Sequence, residues 1–222
     1  MCGRFNLTTD SQQVAETLQA RLPASVSADF RIPNYNVAPT QTILAATQIN
    51  DRILRPIRWG LIPSWIHDPR ASTGIINARA ESLQTKPAFR NAFRDRRCLI
   101  PATGIYEWTG AKPAKQAWHI HRADGDLLVM AGLWEPNTTH GDTCTIITCQ
   151  PSIWMSEYHH RMPVVLEPEH WNRWLESTTT TEDLIHLMAS AGEETLTAYP
   201  VSPRVNSPKN NRPDILHPVH PK

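Results

Sequence analysis

Apolar positions recur at two periods along the 222-residue chain. In SQQVAETLQARL, Val14, Leu18 and Leu22 fall four apart. That is the spacing of one helical face, with Thr9, Asp10 or Ser11 available as N-cap, and it predicts a helix over 11–22. Past the prolines at 23, 33 and 39 the pattern shortens. TILAATQI, LRPIRWGLI, CLIPATGIYEW, AWHIHR, LLVMAGLWE and TCTIITC read as β-strands. HRADGDLL, between two of them, carries the Asp-Gly signature of a hairpin turn. Helical spacing returns in PEHWNRWLES, where Pro168 suits a first turn, and in TEDLIHLMASAG, where Gly192 falls just past the end. Residues 203–222 are proline-rich and aperiodic, a surface-hugging extension with room for one short strand. No internal repeat or linker divides residues 1–222. One domain is expected, of α+β class, built on a curved, barrel-like, mainly antiparallel sheet flanked by helices.

Composition narrows the function. Hydrophobic residues at 40% and charged residues at 19% are globular values. No apolar run approaches the ~20 residues of a membrane-spanning helix, and no secretory signal is visible. Four cysteines do not make a disulfide framework, so a reducing cytoplasm is expected. The net charge of +1 excludes bulk electrostatic coating of duplex DNA. Charge is nevertheless concentrated: between positions 52 and 97, nine arginines and Lys86 face Asp68, Glu81 and Asp95, an excess of seven positive charges. Arginine outnumbers lysine 17 to 5, a bias that suits planar contacts to phosphate or carboxylate; solvated surface arginines are the plain alternative.

Among reactive side chains, Cys144 and Cys149 lie an odd number of residues apart in one strand pattern and therefore on opposite faces, which excludes a shared metal site. With Cys98 they read as small buried hydrophobes. The ten histidines form no HExxH or CxxC constellation, and neither a metal nor a cofactor is expected. Cys2 differs by position. Removal of Met1 exposes an α-amine and a thiol on adjacent carbons. The amine, with a pKa of ~7.7–8.0, is about one tenth free base at neutral pH and attacks aldehydes. The thiol can then close a five-membered thiazolidine. A cysteine frayed in solvent is the alternative.

Other stretches bear on that choice. RIPNYNVAPTQ is a polar loop in which Asn36 and Pro39 can line a site. RWGLIPSW sets Trp59 and Trp65 around a proline turn; each is either core or a stacking shelf for unpaired bases. If IINARAES is extended, Asn77, Arg79 and Glu81 share a face, which points to a cleft. Glu107 of GIYEW sits in an apolar strand. Buried, it becomes a general acid near neutral pH; facing outward, an ordinary edge residue. SEYHHRMPVVL brings His159, His160 and Arg161 to a strand entrance.

MCGRF, YNVAP, RWGLIPSW, NARAE, GIYEW and HHRMP, in this order over nearly the whole chain, resemble the SOS-response-associated peptidase (SRAP) family. Each motif is weak alone, and the joint order is specific. The resemblance implies a single α+β domain that acts in the DNA damage response. It binds single-stranded DNA, with single-to-double-strand junctions a further form. It captures the ring-opened aldehyde of an abasic site as a covalent thiazolidine on Cys2, after autocatalytic, peptidase-like removal of Met1. It further implies Cys2, Asn77, Glu107 and His159 as catalytic residues. Asn77 holds the amine or the sugar, Glu107 shuttles protons, and His159, two places before the motif arginine, acts in sugar opening and crosslink reversal. Arg4, Arg79 and Arg161 are implied for phosphates, Asn36, Pro39 and Trp65 for the groove, and Thr148 near the sugar. The chain departs from the pattern at Ile66, where some members have a second aromatic, and in a longer polar loop over 67–74. A lyase-type strand cleavage can accompany capture. A monomer in the cytoplasm, associated with the nucleoid when bound, is expected. A cysteine hydrolase with Cys2 attacking an amide, and a passive single-strand binder, are the other readings.

Overall fold

The computed structural model describes residues 2–29, 32–68, 70, 73–111, 113–189 and 195–220. In chain order the elements are β1 (Phe5–Leu7), α1 (Ser11–Thr17), α2 (Ala24–Asp29), β2 (Asn34–Val37), β3 (Thr42–Gln48), β4 (Arg52–Trp59), β5 (Asn77–Arg79), α3 (Pro87–Asp95), β6 (Arg97–Ala102), β7 (Gly104–Thr109), β8 (Gln116–Arg122), β9 (Leu128–Glu135), β10 (Thr143–Cys149), α4 (Ile153–Ser156), β11 (Met162–Pro163), α5 (Trp171–Leu175), α6 (Thr181–Leu187) and β12 (Leu196–Val201). The class is α+β, as expected.

The expected curved sheet is resolved into two. One has the order β12-β8-β7-β1-β2. In the other, β10, β4, β3, β6 and β9 pair in succession and β9 pairs back to β10, so the strands form a ring. Pairing is mainly antiparallel; β10 runs parallel to β4 and to β5. Apolar residues of both sheets, among them Phe5, Ile105, Leu44 and Ile57, meet in one buried cluster. Phe5 of β1 packs on Trp59 at the end of β4, ring centroids 5.2 Å apart, and ties the sheets together.

Local chemistry explains where the elements stop. The Asp10 carboxylate accepts from the N–H groups of Gln12 and Gln13, capping α1. The helix ends near Thr17, short of position 22, because the chain turns at Gln19 with φ +51°; Val14 and Leu18 are buried as the pattern requires. CLIPATGIYEW is not one strand: β6 and β7 lie in different sheets and break at Thr103. The Asp-Gly turn forms, with Gly125 at φ +83°, but it does not make a hairpin. β8 pairs with β7 and β12, whereas β9 pairs with β6 and β10. Every residue of β9 is buried, so it needs neighbours along both edges, and the ring supplies them. PAFRNAFRD forms α3, which its arginines disguise; Phe89, Ala92 and Phe93 recur at helical spacing and are buried. Pro168 opens a short 3-10 turn before α5, and Gly192 lies outside the described residues.

Two fixed points hold the periphery. Asn36 of β2 is buried, and its amide nitrogen donates to the carbonyls of Val205, Ser207 and Asn210, fastening the C-terminal extension to the first sheet. The extension's short strand pairing is a bridge of Pro218 to Val201. At the opposite side, the buried Arg97 guanidinium donates to the carbonyls of Phe93 and Arg94 at the end of α3 and of Trp174 and Glu176 at the end of α5. These are carbonyls that a helix end leaves without partners. Arg97→Met keeps the bulk and removes all four donors. It is expected to lower unfolding free energy by about 3 kcal/mol, read as a lower denaturation midpoint at unchanged slope. A loss under about 1 kcal/mol would show that the carbonyls find water instead.

Candidate active site

The N-terminal segment reaches its place through β1, the inner strand between β2 and β7. Gly104, opposite Asn6, is confined by a neighbouring strand: a Cβ there would collide with the His119 ring and lie 2.8 Å from the Ile120 carbonyl. Across the seam, Trp59 is core, its indole donating to the Ile76 carbonyl at 2.9 Å. Gly60 follows at φ +127°, where a Cβ would strike the Thr73 carbonyl. This turn delivers β5 alongside β10, with Asn77 opposite Ile146 and Arg79 opposite Thr148.

Cys2 has no exposed surface. The Asn77 amide nitrogen donates to its carbonyl at 3.0 Å, and Asn77 Oδ1, buried, has no hydrogen-bond partner among the described residues. Burial, and next the negative charge of Glu107, push the Cys2 thiol far above its ordinary pKa, so it rests protonated. Glu107 faces inward and is 3% exposed, and burial raises its carboxyl to about 7. Of the two readings open for this residue, the buried acid is the one the fold adopts.

Glu107 stands opposite Trp118 on β8, whose ring meets Tyr158 edge-on at 5.3 Å. That contact brings the neighbouring His159 to the same side. His159 stacks on His160 with centroids 4.1 Å apart, and its Nδ1 lies 3.0 Å from the Arg161 N–H. Burial, joined by nearby positive charge, lowers it to about 4, so the imidazole is neutral at pH 7. Lys115, between β7 and β8, acts electrostatically on both Glu107 and His159. Sequence reasoning missed it, because its only signal is a basic residue in the turn GAKPAKQ.

The residues named for DNA divide into open and engaged groups. Arg79 and Trp65 are exposed, Trp65 by 51%, and Pro39 is partly so. Ile66 is partly buried, its carbonyl accepting from Asn137; of the loop beyond it, residues 69, 71 and 72 lie outside the described residues. Arg4 is half-buried and donates to Asn36 Oδ1 at 2.8 Å and to the Val205 carbonyl at 2.9 Å. Thr148 is buried on β10. Arg161, 5% exposed, makes a bidentate pair with Glu81 at 2.7 and 2.9 Å and reaches the Thr148 carbonyl. Glu81 does not share an extended face with Asn77 and Arg79, because β5 ends at Arg79 and a 3-10 turn over Ala80–Ser82 swings its carboxylate to Arg161. Among the described residues no three His, Cys, Asp or Glu side chains converge on a metal position.

The model of the SOS response associated peptidase (SRAP) family matches residues 1–208. This chain belongs to the SRAP family. It is 41% identical to the abasic site processing protein YoqW of Bacillus subtilis over 97% of this chain and 99% of that one. It is 28% identical to the abasic site processing protein YedK of Escherichia coli over 99% and 100%. A crystal structure of a protein from Bacteroides thetaiotaomicron shares the fold, with a TM-score of 0.88 at 24% identity over 99% of this SRAP chain and 100% of that one.

Because Glu107's folded pKa lies above that of an exposed glutamate, its contribution to stability is complete below the unfolded value and is lost as pH rises towards about 7. Glu107→Gln carries no such loss. Its stability relative to wild type should rise between pH 4.5 and 8 by on the order of 3 kcal/mol, measured by denaturant titration at both pH values. A difference that stays flat would mean the carboxyl ionises as an exposed one does.

Proposed function

We propose that this SRAP chain processes abasic sites in single-stranded DNA by joining the ring-opened deoxyribose covalently to Cys2. The observation that carries the reading is the meeting of the Cys2 carbonyl with the Asn77 amide beside a buried carboxyl that titrates near neutrality. The relatives' names, abasic site processing protein, supply the substrate class.

Met1 leaves first, by hydrolysis of one peptide bond at the expense of one water, with Glu107 as the proton carrier. Met1 lies outside the described residues. The freed α-amine attacks the C1′ aldehyde, and loss of water, with a proton from Glu107, gives an imine. The Cys2 thiol then hands its proton to Glu107 as sulfur bonds to the imine carbon. In sum, one aldehyde and one aminothiol give one thiazolidine and one water. The buried, protonated thiol supports this order, in which the amine bonds first and sulfur second. A cysteine hydrolase would have to deprotonate this thiol at the moment of attack, without a resting thiolate to start from. Closure also removes the imine that acidifies the C2′ proton, so it competes with strand-cleaving β-elimination.

Asn77 Oδ1 is the open acceptor for the amine or a sugar hydroxyl, and His159 faces the sugar as a neutral imidazole. Arg79 and Trp65 are free to meet a phosphate and a base. Arg4 meets a phosphate with its position fixed by Asn36, which acts from behind it, while Arg161 must exchange Glu81 for a phosphate. Pro39 borders the groove and Thr148 supports the Arg79 strand from within. The protein acts as a monomer in the cytoplasm, at the nucleoid when DNA-bound.

A single-stranded oligonucleotide carrying one abasic aldehyde, run on a denaturing gel, tests the reading. Wild-type protein should give a shifted covalent band, and Cys2→Ala none. Identical bands, or no band from wild type, would sink it. The rate of band formation should show a limb near pH 7 that Glu107→Gln abolishes; a limb unchanged by that substitution would remove Glu107 from the proton transfers.

A further inference from the structure

A groove of about 540 Å³ opens beside the site, lined by Trp108, Pro113, Lys115 and Asn206. Trp108 follows Glu107 on β7 and so turns to the strand's opposite face, and the groove is linked to the site by Lys115, whose charge acts on Glu107. The Trp108 ring packs against a second small apolar cluster of Tyr106, Ala117, Val201, Val205 and Ile215, and its indole N–H donates to Asn206 Oδ1 at 2.7 Å. The ring is therefore fixed in place while it borders an open cavity. Lys115, at the groove's other side, is exposed and makes no ion pair among the described residues, and its charge reaches both Glu107 and His159. A fixed aromatic surface with a solvent-exposed cation beside it is the arrangement that holds an unpaired base and its phosphate. Pro113 in the turn before β8 and Asn206 from the extension close the sides without adding negative charge.

We propose that this groove is a subsite for a nucleotide adjoining the abasic sugar, with its base on Trp108 and its phosphate at Lys115. It rests on the abasic-site reading above and adds a specificity for flanking nucleotides, delivered in part by the C-terminal extension. The binding would run from the Arg79 side, past Cys2, to the turn between β7 and β8.

The test uses single-stranded oligonucleotides bearing a tetrahydrofuran abasic analogue, which has no aldehyde, placed centrally, at the 5′ end or at the 3′ end. Equilibrium binding is followed by fluorescence anisotropy over a salt series. Lys115→Ala should weaken binding to the central analogue about 3- to 10-fold at low salt and reduce the slope of log affinity against log salt by about 0.7. Lys115→Arg should restore both. On one of the two end-placed analogues, which lacks the subsite's nucleotide, wild type and Lys115→Ala should bind alike. Equal affinities of wild type and Lys115→Ala on all three, or equal weakening on all three, would overturn the subsite. The aldehyde-bearing oligonucleotide, run in parallel on a denaturing gel, reports separately on crosslinking. A missing covalent band there would defeat the crosslinking reading while the flank series still decides the groove.

Discussion

The site depends on β10 having neighbours along its whole length. Thr143–Cys149 pairs with β9 and then β11 along one edge and with β4 and then β5 along the other, so one buried strand closes the ring and also aligns the segments that carry chemistry. Asn77 and Arg79 come from its parallel partner β5, and Arg161 enters just before its antiparallel partner β11. Parallel neighbours need long connections, and the 63 residues between β5 and β10, which build α3 and β6 to β9, supply one. The seam with the first sheet then sets Cys2 against Asn77, joining residues 75 apart in sequence by a single hydrogen bond.

Much of this was legible from the order of residues. The strand runs and the Asp10 cap follow from periodicity and capping chemistry, whereas Trp59 and Glu107 each had two readings that only the packed sheets decide. Membership of the two sheets was not legible: CLIPATGIYEW and HRADGDLL look locally like one strand and one hairpin, and only the full burial of β9 forces its partners to come from elsewhere. α3 was hidden because four of its nine side chains are charged or polar and the run reads first as a basic block. Asn36 looked like a groove residue because a polar loop residue is ordinarily solvated; its three carbonyl partners lie some 170 residues away, where no local pattern reports them. Glu81 is similar, since its pairing with Arg161 depends on a turn one residue past β5.

The reactive groups are costly to the fold. Burial raises the Cys2 thiol and the Glu107 carboxyl together and lowers His159, so three titratable groups sit where water would ordinarily set their ionisation. Each is displaced toward its neutral form. A pocket of neutral, poised donors and acceptors suits condensation chemistry, in which protons move between reacting atoms and water must leave. The same desolvation shields the thiol from oxidation and stray alkylation.

The hydrogen bond from Arg4 to the Val205 carbonyl spans 201 residues. Arg4 is made 201 residues before Val205, and chains fold as they emerge. By then β1 has its partners in β2 and β7 and Cys2 has Asn77, so what waits for residue 205 is the second hold on the Arg4 guanidinium. A chain stalled or cut before residue 205 would therefore keep Cys2 against Asn77 and lose one of the two acceptors that set the Arg4 guanidinium.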